Sequence, residues 1–251
     1  MSLPSIAQME TSMLTAWPSL MTAYDGAWVW RAGRGYTNRS NSISCLDPND
    51  GEDALARLAR FSELYTRHGL PSVFKVTPLT SAGALEALET LRWQSFGESH
   101  VLAQSLHPRG SEPRHHTALM DALDPAWLDP QADMAGYGPS TVDTLKQILA
   151  VVPCDHRGVV AFDAAGVPAA SALTYVANGN ASFTNVVARE SHRGQGFGRA
   201  VMVAALNWAR DAGAVTASLQ VAAGNATAIT LYTSLGFAHA YDYVYRRPPT
   251  A

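Results

Sequence analysis

The chain has 251 residues, 47% of them hydrophobic, and its 18 basic and 21 acidic residues give a formal net charge of -3. This composition supports one large or two ordinary hydrophobic cores, so a mainly disordered chain is excluded. No basic run suits a nucleic-acid backbone, and no stretch approaches the roughly 20 apolar residues of a membrane span, so neither partner is expected. Residues 1–18 carry no cationic region ahead of an apolar stretch, and a cytoplasmic location is the default expectation.

We expect both cysteines to be buried or idle thiols. Cys45 and Cys154 each lack a second cysteine or a closely spaced histidine, so no zinc motif can be built and no metal site is expected. Their neighbours are not electropositive, as a catalytic thiol requires. The adjacent His115 and His116 lie in a polar linker, and we assign them no function either.

The N-terminal half contains alternating strand and helix signals. Apolar spacing and turn residues predict a strand, a helix, a strand, a helix and a final strand, at residues 41–45, 53–68, 72–76, 82–93 and around Val101. A linker follows at residues 106–117 and contains Pro108, Gly110 and Pro113. We therefore divide the chain into two domains, residues 1–108 and 109–251.

The C-terminal half begins with an antiparallel meander. Three strands are predicted at residues 159–163, 169–175 and 181–187, with turns between them. A helix follows a glycine-rich loop and is ended by Gly213. Alternation predicts a strand at 215–221, then a helix at 226–235 and a last strand at 241–246.

The two halves share the same order of elements. A shift of 144 residues places residues 82–93 on 226–237, so that Leu91-Arg92-Trp93 coincides with Leu235-Gly236-Phe237. The strand, helix, strand, helix, strand order is therefore present twice, which indicates a duplicated unit.

The glycine-rich loop at residues 193–198 reads Arg-Gly-Gln-Gly-Phe-Gly and lies between a strand and a helix. Its backbone N–H groups and the helix N-terminus are suited to an anion such as a phosphate. A nucleoside-triphosphate loop requires Gly-Lys before Ser or Thr, and a dinucleotide loop requires G-x-G-x-x-G; this loop has neither. A purely structural glycine turn is an equal alternative on the loop alone.

Two linked motifs resemble the GNAT superfamily of N-acetyltransferases. Arg193-x-x-Gly196-x-Gly198 matches the signature Q/R-x-x-G-x-G/A, and Asn225 is followed by a second motif that ends at Gly236-Phe237. The resemblance implies an α/β (α+β) GNAT fold, with a mixed, mostly antiparallel sheet flanked by helices. The N-terminal half resembles a degenerate GNAT repeat, which implies two GNAT-like domains in tandem.

The resemblance also implies which residues bind acetyl-CoA, the expected cosubstrate. Loop amides would hold the pyrophosphate, the end of the preceding strand would bind the pantetheine arm, and an asparagine before the next helix would contact the same arm. These residues are Val186, Val187, Ala188, Arg193, Gly194, Gly196, Gly198, Arg199 and Asn225. Asn225 is equally suited to be an ordinary N-cap. In the N-terminal half, acidic residues 47–51 replace the loop, so no coenzyme is expected there.

Tyr232 matches the family's proposed general acid. Attack of an amine on a thioester expels a thiolate, and a neutral phenol nearby can protonate it, since the reference pKa values are about 8.5 for a thiol and about 10 for tyrosine. Packing on the apolar face of its helix is the alternative role. A general base is not assigned, with Glu190, His239 and Asp242 as candidates and a water chain as another route.

The acceptor is expected to be a primary amine of a small molecule or peptide. The resemblance places its pocket at residues 127–137 and 239–245, where Asp129, Asp133 and Asp242 would suit a cation. Trp28, Arg31, Arg39 and Asn41 of the N-terminal half would cap this pocket or merely occupy a dimer-like position. A coenzyme-binding sensor without transferase activity and a transferase using another acyl-CoA are the alternatives, and either a monomer or a homodimer is expected.

Overall fold

The computed structural model describes residues 3–106 and 111–249. These residues form one eleven-stranded mixed sheet with helices on both faces. The described helices are α1 (Ile6–Ala16), α2 (Ala54–Arg67), α3 (Ala82–Thr90), α4 (Pro125–Ala135), α5 (Pro139–Ala150), α6 (Phe197–Asp211) and α7 (Ala226–Ser234). The described strands are β1 (Met21–Asp25), β2 (Trp28–Ala32), β3 (Ile43–Cys45), β4 (Phe74–Val76), β5 (Gln94–Ser105), β6 (His116–Met120), β7 (Asp155–Phe162), β8 (Pro168–Ala177), β9 (Asn180–Ala188), β10 (Thr216–Ala222) and β11 (Ala238–Arg247).

The sheet has the order β1-β2-β3-β4-β11-β5-β10-β9-β8-β7-β6. The pairs β3–β4 and β9–β10 are parallel, and all other neighbouring pairs are antiparallel. Strands β1 to β5 with α2 and α3 therefore repeat the order of β7 to β11 with α6 and α7. The prediction of a duplicated unit and of a mixed, mostly antiparallel sheet flanked by helices is confirmed.

The predicted elements form because their apolar periodicity matches the core. The apolar residues of α6, among them Val201 and Met202, pack with β9 and β10 in one cluster. The helix is followed by Gly213, whose φ of +89° is costly for any residue with a side chain. Helix α1 was not predicted; it begins at a capping box in which Ser5 and Gln8 exchange hydrogen bonds.

The last strand of each half lies in the other half's part of the sheet. Strand β5 pairs with β10 over seven positions, from Thr216↔Ser105 to Ala222↔Ser99, while β11 pairs with β4. The two exchanged strands also pair with each other at the centre of the sheet. The predicted boundary at residue 108 lies outside the described residues, and the division into two domains stays a prediction. In the described residues the sheet runs continuously through both halves.

A chain reduced to residues 111–251 should fail to fold as a soluble monomer. It would lack β5, and the edge of β10 that carries buried Ala217 and Leu219 would lose its partner and become prone to aggregation. We expect aggregated or oligomeric material by size-exclusion chromatography. Producing residues 1–110 together with it as a second chain should restore the native circular-dichroism spectrum. A folded, soluble monomer of residues 111–251 alone would contradict this prediction.

Candidate active site

The central opening of the sheet lies between β9 and β10. The two parallel strands pair only from Thr216↔Asn180 to Leu219↔Phe183, although β9 continues to Ala188. Both strands lie wholly within the described residues. They therefore diverge after the last paired position, Leu219↔Phe183. At Asn185, β9 also departs from regular geometry, with φ of +54°, in the stretch where its register to β8 shifts. The backbone edge of β9 beyond Phe183 is thus available to a ligand inserted between the strands.

The glycine-rich loop leads from the end of β9 into α6. Gly194 and Gly196 have φ of +76° and +89°, a left-handed conformation that disfavours side chains. Gly196 is the N-cap of α6, and no side chain caps this helix. The first N–H groups of α6 and the positive end of its dipole are therefore free to receive an anion.

The loop is also supported by His115, to which we had assigned no function. Its imidazole stacks on Phe197 with ring centroids 3.9 Å apart, and its Nε2 lies 3.0 Å from the carbonyl oxygen of Gln195. No local sequence signal links these residues, because His115 precedes β6 and reaches the loop only through the folded sheet. His115 therefore contacts the loop, while the prediction that it has no function of its own stays a prediction.

The predicted coenzyme residues border the opening and the loop. Val186, Val187 and Ala188 form the half-buried end of β9 beyond its pairing with β10. Arg199 donates hydrogen bonds to the Ser234 hydroxyl at 2.7 Å and to its carbonyl oxygen at 3.3 Å. Gly198 lies beside α7, where an added Cβ would make an ordinary contact with Leu231 at 3.7 Å.

Asn225 is the N-cap of α7, which was one of the two roles predicted for it. Its side-chain oxygen accepts a hydrogen bond from the backbone N–H of Ala228 at 3.1 Å. The amide nitrogen of its side chain is not needed for this role, so contact with a coenzyme arm is compatible with capping. Arg193 is exposed in the loop.

Tyr232 lies on α7 and is 7% exposed. Its ring packs edge-on against Phe237 with centroids 6.2 Å apart, and its hydroxyl makes no hydrogen bond to another residue in the described ranges. Burial raises the pKa of Tyr232 to about 12, and the positive charge of Arg39 opposes this shift. The phenol thus keeps its proton at neutral pH. The ring of Tyr232 therefore packs in the core while its hydroxyl stays protonated, so the two roles predicted for this residue are compatible.

The candidate bases do not converge on the opening. Glu190 is exposed in the loop after β9. His239 and Asp242 form a surface group with His100, in which the Asp242 carboxylate lies 2.6 Å from His100 Nδ1 and 2.7 Å from His239 Nε2. Hydrogen bonds from His100 and then His239 lower the pKa of Asp242. The ligand atoms of these three residues lie within 4.8 Å of one another, and they are the group in the described residues that could hold a metal ion.

The acidic residues expected to attract a cationic acceptor are exposed or already paired. Asp129 is exposed on α4, and Asp133 forms an ion pair with Arg189 at 2.8 Å. Trp127 is fully buried under β7 and β8, where its indole N–H donates to the carbonyl of Ala172 at 3.0 Å. Trp127 therefore serves packing, whereas Asp133 is paired beside the end of β9, and the acceptor pocket at residues 127–137 stays a prediction.

A cavity instead lies on the sheet face opposite α6, where β9 and β10 begin to diverge. Its floor includes Ser182 and Thr184 of β9 and Ser218 and Gln220 of β10, and its cavity volume is about 30 Å³, or about 460 Å³ of empty space when the part open to solvent is included. Its other walls come from the N-terminal half. These wall residues are Glu10, Met13, Leu14, Ala16, Trp17, Arg31, Arg39 and Lys75.

Helix α1 closes this cavity through a buried ion pair. Both Glu10 oxygens accept hydrogen bonds from Lys75 Nζ, at 2.8 and 2.7 Å, and Glu10 also accepts one from the Tyr241 hydroxyl at 2.6 Å. Glu10 was missed from the sequence because α1 itself was missed. Since removing one partner of such a pair leaves a buried charge, this network fixes α1 against β4 and β11.

The loop between β2 and β3 reaches the C-terminal half. Tyr36 packs edge-on against Tyr137 at 5.6 Å and accepts a weak hydrogen bond from Asn185 at 3.4 Å. Asn41 holds the loop by accepting hydrogen bonds from the N–H groups of Gly33 and Gly35. Of the four residues proposed to cap the pocket, Arg31 and Arg39 line the cavity, Asn41 supports the loop, and Trp28 lies in the N-terminal core.

The N-terminal counterpart of the glycine loop is closed by its own side chains. The Asp50 carboxylate accepts hydrogen bonds from the N–H of Ala27 at 2.6 Å and from Arg57 Nη2 at 3.0 Å. Gly51 packs against Gly83 so tightly that a Cβ on Gly83 would lie 2.2 Å from the Gly51 carbonyl oxygen. The chain itself therefore occupies this region, and the absence of coenzyme binding in the N-terminal half stays a prediction.

Both cysteines are free thiols. Cys45 is buried in the N-terminal core, and burial raises the pKa of Cys154 to about 11. A thiolate is therefore disfavoured at Cys154. Within residues 3–106 and 111–249, no helix has the length and apolar character that a membrane crossing requires.

Comparisons with known proteins agree with this geometry. The chain is 26% identical over 246 residues to the uncharacterized N-acetyltransferase YobR of Bacillus subtilis (strain 168), covering 96% of this chain and 98% of that protein. The fold is similar to a GCN5-related N-acetyltransferase from Kribbella flavida, with a TM-score of 0.72 at 18% identity over 100% of this chain and 98% of that one. It is also similar to a tandem GNAT protein from the clavulanic acid biosynthesis pathway, with a TM-score of 0.68 at 14% identity over 99% and 89% of the two chains.

The opened sheet and the uncapped helix after a glycine loop define a GNAT-type acyltransferase. The family model described as probable histone acetyltransferase Rv0428c C-terminal matches residues 4–246. The chain therefore belongs to this family, within the GNAT superfamily of N-acetyltransferases, and the predicted GNAT fold is confirmed.

Replacing Asp50 by asparagine should destabilise the chain at neutral pH by about 1–3 kcal/mol, because Arg57 would lose a charged hydrogen-bond partner. Hydrogen bonds from Arg57 and then Ala27 lower the pKa of Asp50 in the folded chain. Its stabilisation is therefore present above the ordinary aspartate pKa of about 3.9 and is lost as pH falls through the folded value. Denaturant unfolding should show the two proteins converging at low pH.

Glu63→Gln is the matched control for Asp50→Asn. Glu63 lies on α2 and pairs with Arg67 at 2.6 Å on an exposed surface, where such pairs contribute little. We expect nearly unchanged stability in this control. A difference between wild type and Asp50→Asn that is constant over the acidic range would show that the carboxylate charge is not the cause.

Proposed function

We propose that this chain transfers an acetyl group from acetyl-CoA to a primary amine of a small molecule or peptide. The observation that carries the proposal is the combination of a gap between β9 and β10 with an uncapped α6 N-terminus reached through Gly194 and Gly196. A linear thioester carrying a pyrophosphate suits both features at once. Family membership supports the same chemistry.

Each part of the opening would bind a different part of the coenzyme. The N–H groups of the loop and of the first turn of α6, from Arg193 to Arg199, would bind the pyrophosphate. The free edge of β9 at Val186, Val187 and Ala188 would hydrogen-bond the pantetheine arm, with Asn225 on its other side. Bound acetyl-CoA supplies the activated acyl group, and the protein supplies orientation and proton transfer.

The reaction forms an N–C bond while the C–S bond of the thioester breaks. The attacking amine loses a proton, and the departing sulfur needs one. We assign this donation to Tyr232, because its hydroxyl has no other partner in the described residues and burial raises its pKa to about 12. Solvent can return the proton to the phenolate after transfer.

Replacing Gly196 by valine should weaken acetyl-CoA binding about tenfold or more. A valine at φ of +89° costs about 1–3 kcal/mol of backbone strain, which the loop can relieve only by moving its N–H groups away from the ligand. Isothermal titration calorimetry with acetyl-CoA measures the change. Wild-type protein that binds no acetyl-CoA would end the proposal.

Gly166→Val is the matched control for Gly196→Val. Gly166 has a similar φ of +80° and lies in the turn between β7 and β8, where an added Cβ would have no other described atom within 4 Å. It should carry a comparable strain without affecting the affinity for acetyl-CoA. Equal affinities in both variants would mean that the α6 loop does not bind the coenzyme.

Replacing Tyr232 by phenylalanine should lower kcat about a hundredfold while leaving the affinity for acetyl-CoA unchanged, because a general acid typically contributes at least this factor. Release of the free thiol over an amine panel measures turnover, and propionyl-CoA and succinyl-CoA tested as donors decide the acyl group. Tyr24→Phe, at a 73% exposed position, is the control. Full turnover in Tyr232→Phe would exclude the proposed acid, and binding without turnover on any amine would favour the sensor alternative.

A further inference from the structure

The cavity opposite α6 has an excess of positive charge. Three cationic side chains and one carboxylate line it: Arg31, Arg39, Lys75 and Glu10. Two of the cations are already satisfied. Lys75 donates to Glu10, and the Arg31 guanidinium donates to the carbonyl oxygens of Leu14, Trp17 and Arg39.

Arg39 is the cavity cation without an acceptor. Its guanidinium lies over the Trp17 ring at 5.9 Å, and no hydrogen bond or ion pair joins it to another residue of the described ranges. The Arg39 side chain is half-buried, so water can solvate its positive charge only in part. A planar guanidinium with five N–H donors is suited to two parallel hydrogen bonds with a carboxylate.

Arg39 also faces the chemistry of the site. It shares the cavity with Ser182 and Thr184 of β9, at the level where β9 and β10 separate. Burial raises the pKa of Tyr175 and of Tyr232, and the positive charge of Arg39 opposes this increase in both. The two tyrosines lie on opposite sides of the sheet. An anion held by Arg39 would therefore lie beside the gap through which the acyl group must be delivered.

We infer that Arg39 recognises the acceptor, and that the acceptor is an amino acid with a free carboxylate rather than a peptide or a simple amine. This inference rests on the proposed function. The carboxylate of the acceptor pairs with the guanidinium of Arg39, and the amine is thereby directed towards the gap between β9 and β10. The N-terminal half supplies this specificity although its own loop is closed to coenzyme.

The inference is tested by the selectivity between matched acceptors. Wild-type protein and Arg39→Gln are assayed by thiol release with α-, β- and γ-amino acids and with the corresponding carboxamides, which also imitate a peptide. The measured quantity is the ratio of kcat/KM for each acid to kcat/KM for its amide. We expect Arg39→Gln to lower this ratio about ten- to a hundredfold, as expected for loss of a charged hydrogen-bonded pair.

Two further variants sharpen the comparison. Arg39→Lys keeps the charge and should retain part of the selectivity, which a purely structural role of Arg39 would not produce. Arg67→Gln, at a 63% exposed position on α2, should leave the ratio unchanged. Circular dichroism and acetyl-CoA binding verify that each variant is folded.

Several outcomes would overturn the inference. Wild-type turnover that does not distinguish acids from amides is one, and selectivity that survives in Arg39→Gln is another. An equal loss of turnover on acids and amides would mean that Arg39 acts on the reacting group and not on the acceptor. Acetyl-CoA binding without turnover on any acceptor also counts against it, whereas absence of acetyl-CoA binding removes the proposed function itself.

Discussion

The antiparallel pairing of β5 with β11 is the constraint on which the rest of the structure depends. Each strand is the last of its half, and their register runs from Ala238↔Ala103 to Arg247↔Gln94 at the centre of the sheet. Because β5 also pairs with β10, and β11 with β4, backbone hydrogen bonds fix one half against the other. An interface of side chains alone would permit relative motion. The loop before β3 can therefore hold a fixed position beside β9.

The two copies of the repeated unit differ in the turn that precedes the first long helix of each copy, α2 in the N-terminal half and α6 in the C-terminal half. In the C-terminal half, the turn before α6 leaves its helix end uncapped and exposes N–H groups. In the N-terminal half, Asp50 and Arg57 occupy the same region and satisfy the backbone themselves. One copy thus has a helix N-terminus without a side-chain cap, and the other has an internal ion pair in the same region. The N-terminal copy instead contributes residues to the wall of the cavity.

Local patterns account for the parts of the fold and site that the sequence could predict. The helical spacing of α6, the alternation of β10 and the glycines at 194 and 196 are each set by neighbours in the chain, so they were recognisable. The role of His115 and the placement of α1 depend on contacts between distant segments. Arg39 was named as a possible cap, but nothing in residues 33–41 reveals that the loop reaches β9. The sequence also does not reveal the partners of the acidic residues named for the acceptor, which are Arg189 for Asp133 and two histidines for Asp242.

Within the described residues, Glu10 is the carboxylate that lines the cavity, and its ion pair with Lys75 leaves the cavity without an unpaired carboxylate. A carboxylate there would stabilise the ammonium form of an acceptor, which is not nucleophilic. Cationic side chains have the opposite effect, since they lower the pKa of a nearby amine and favour its neutral form. The same positive charge that would attract the carboxylate of a proposed amino-acid acceptor would therefore also help to release the proton from its amine. Recognition and activation of the acceptor would then have one electrostatic cause, and water could accept the proton without a dedicated side chain.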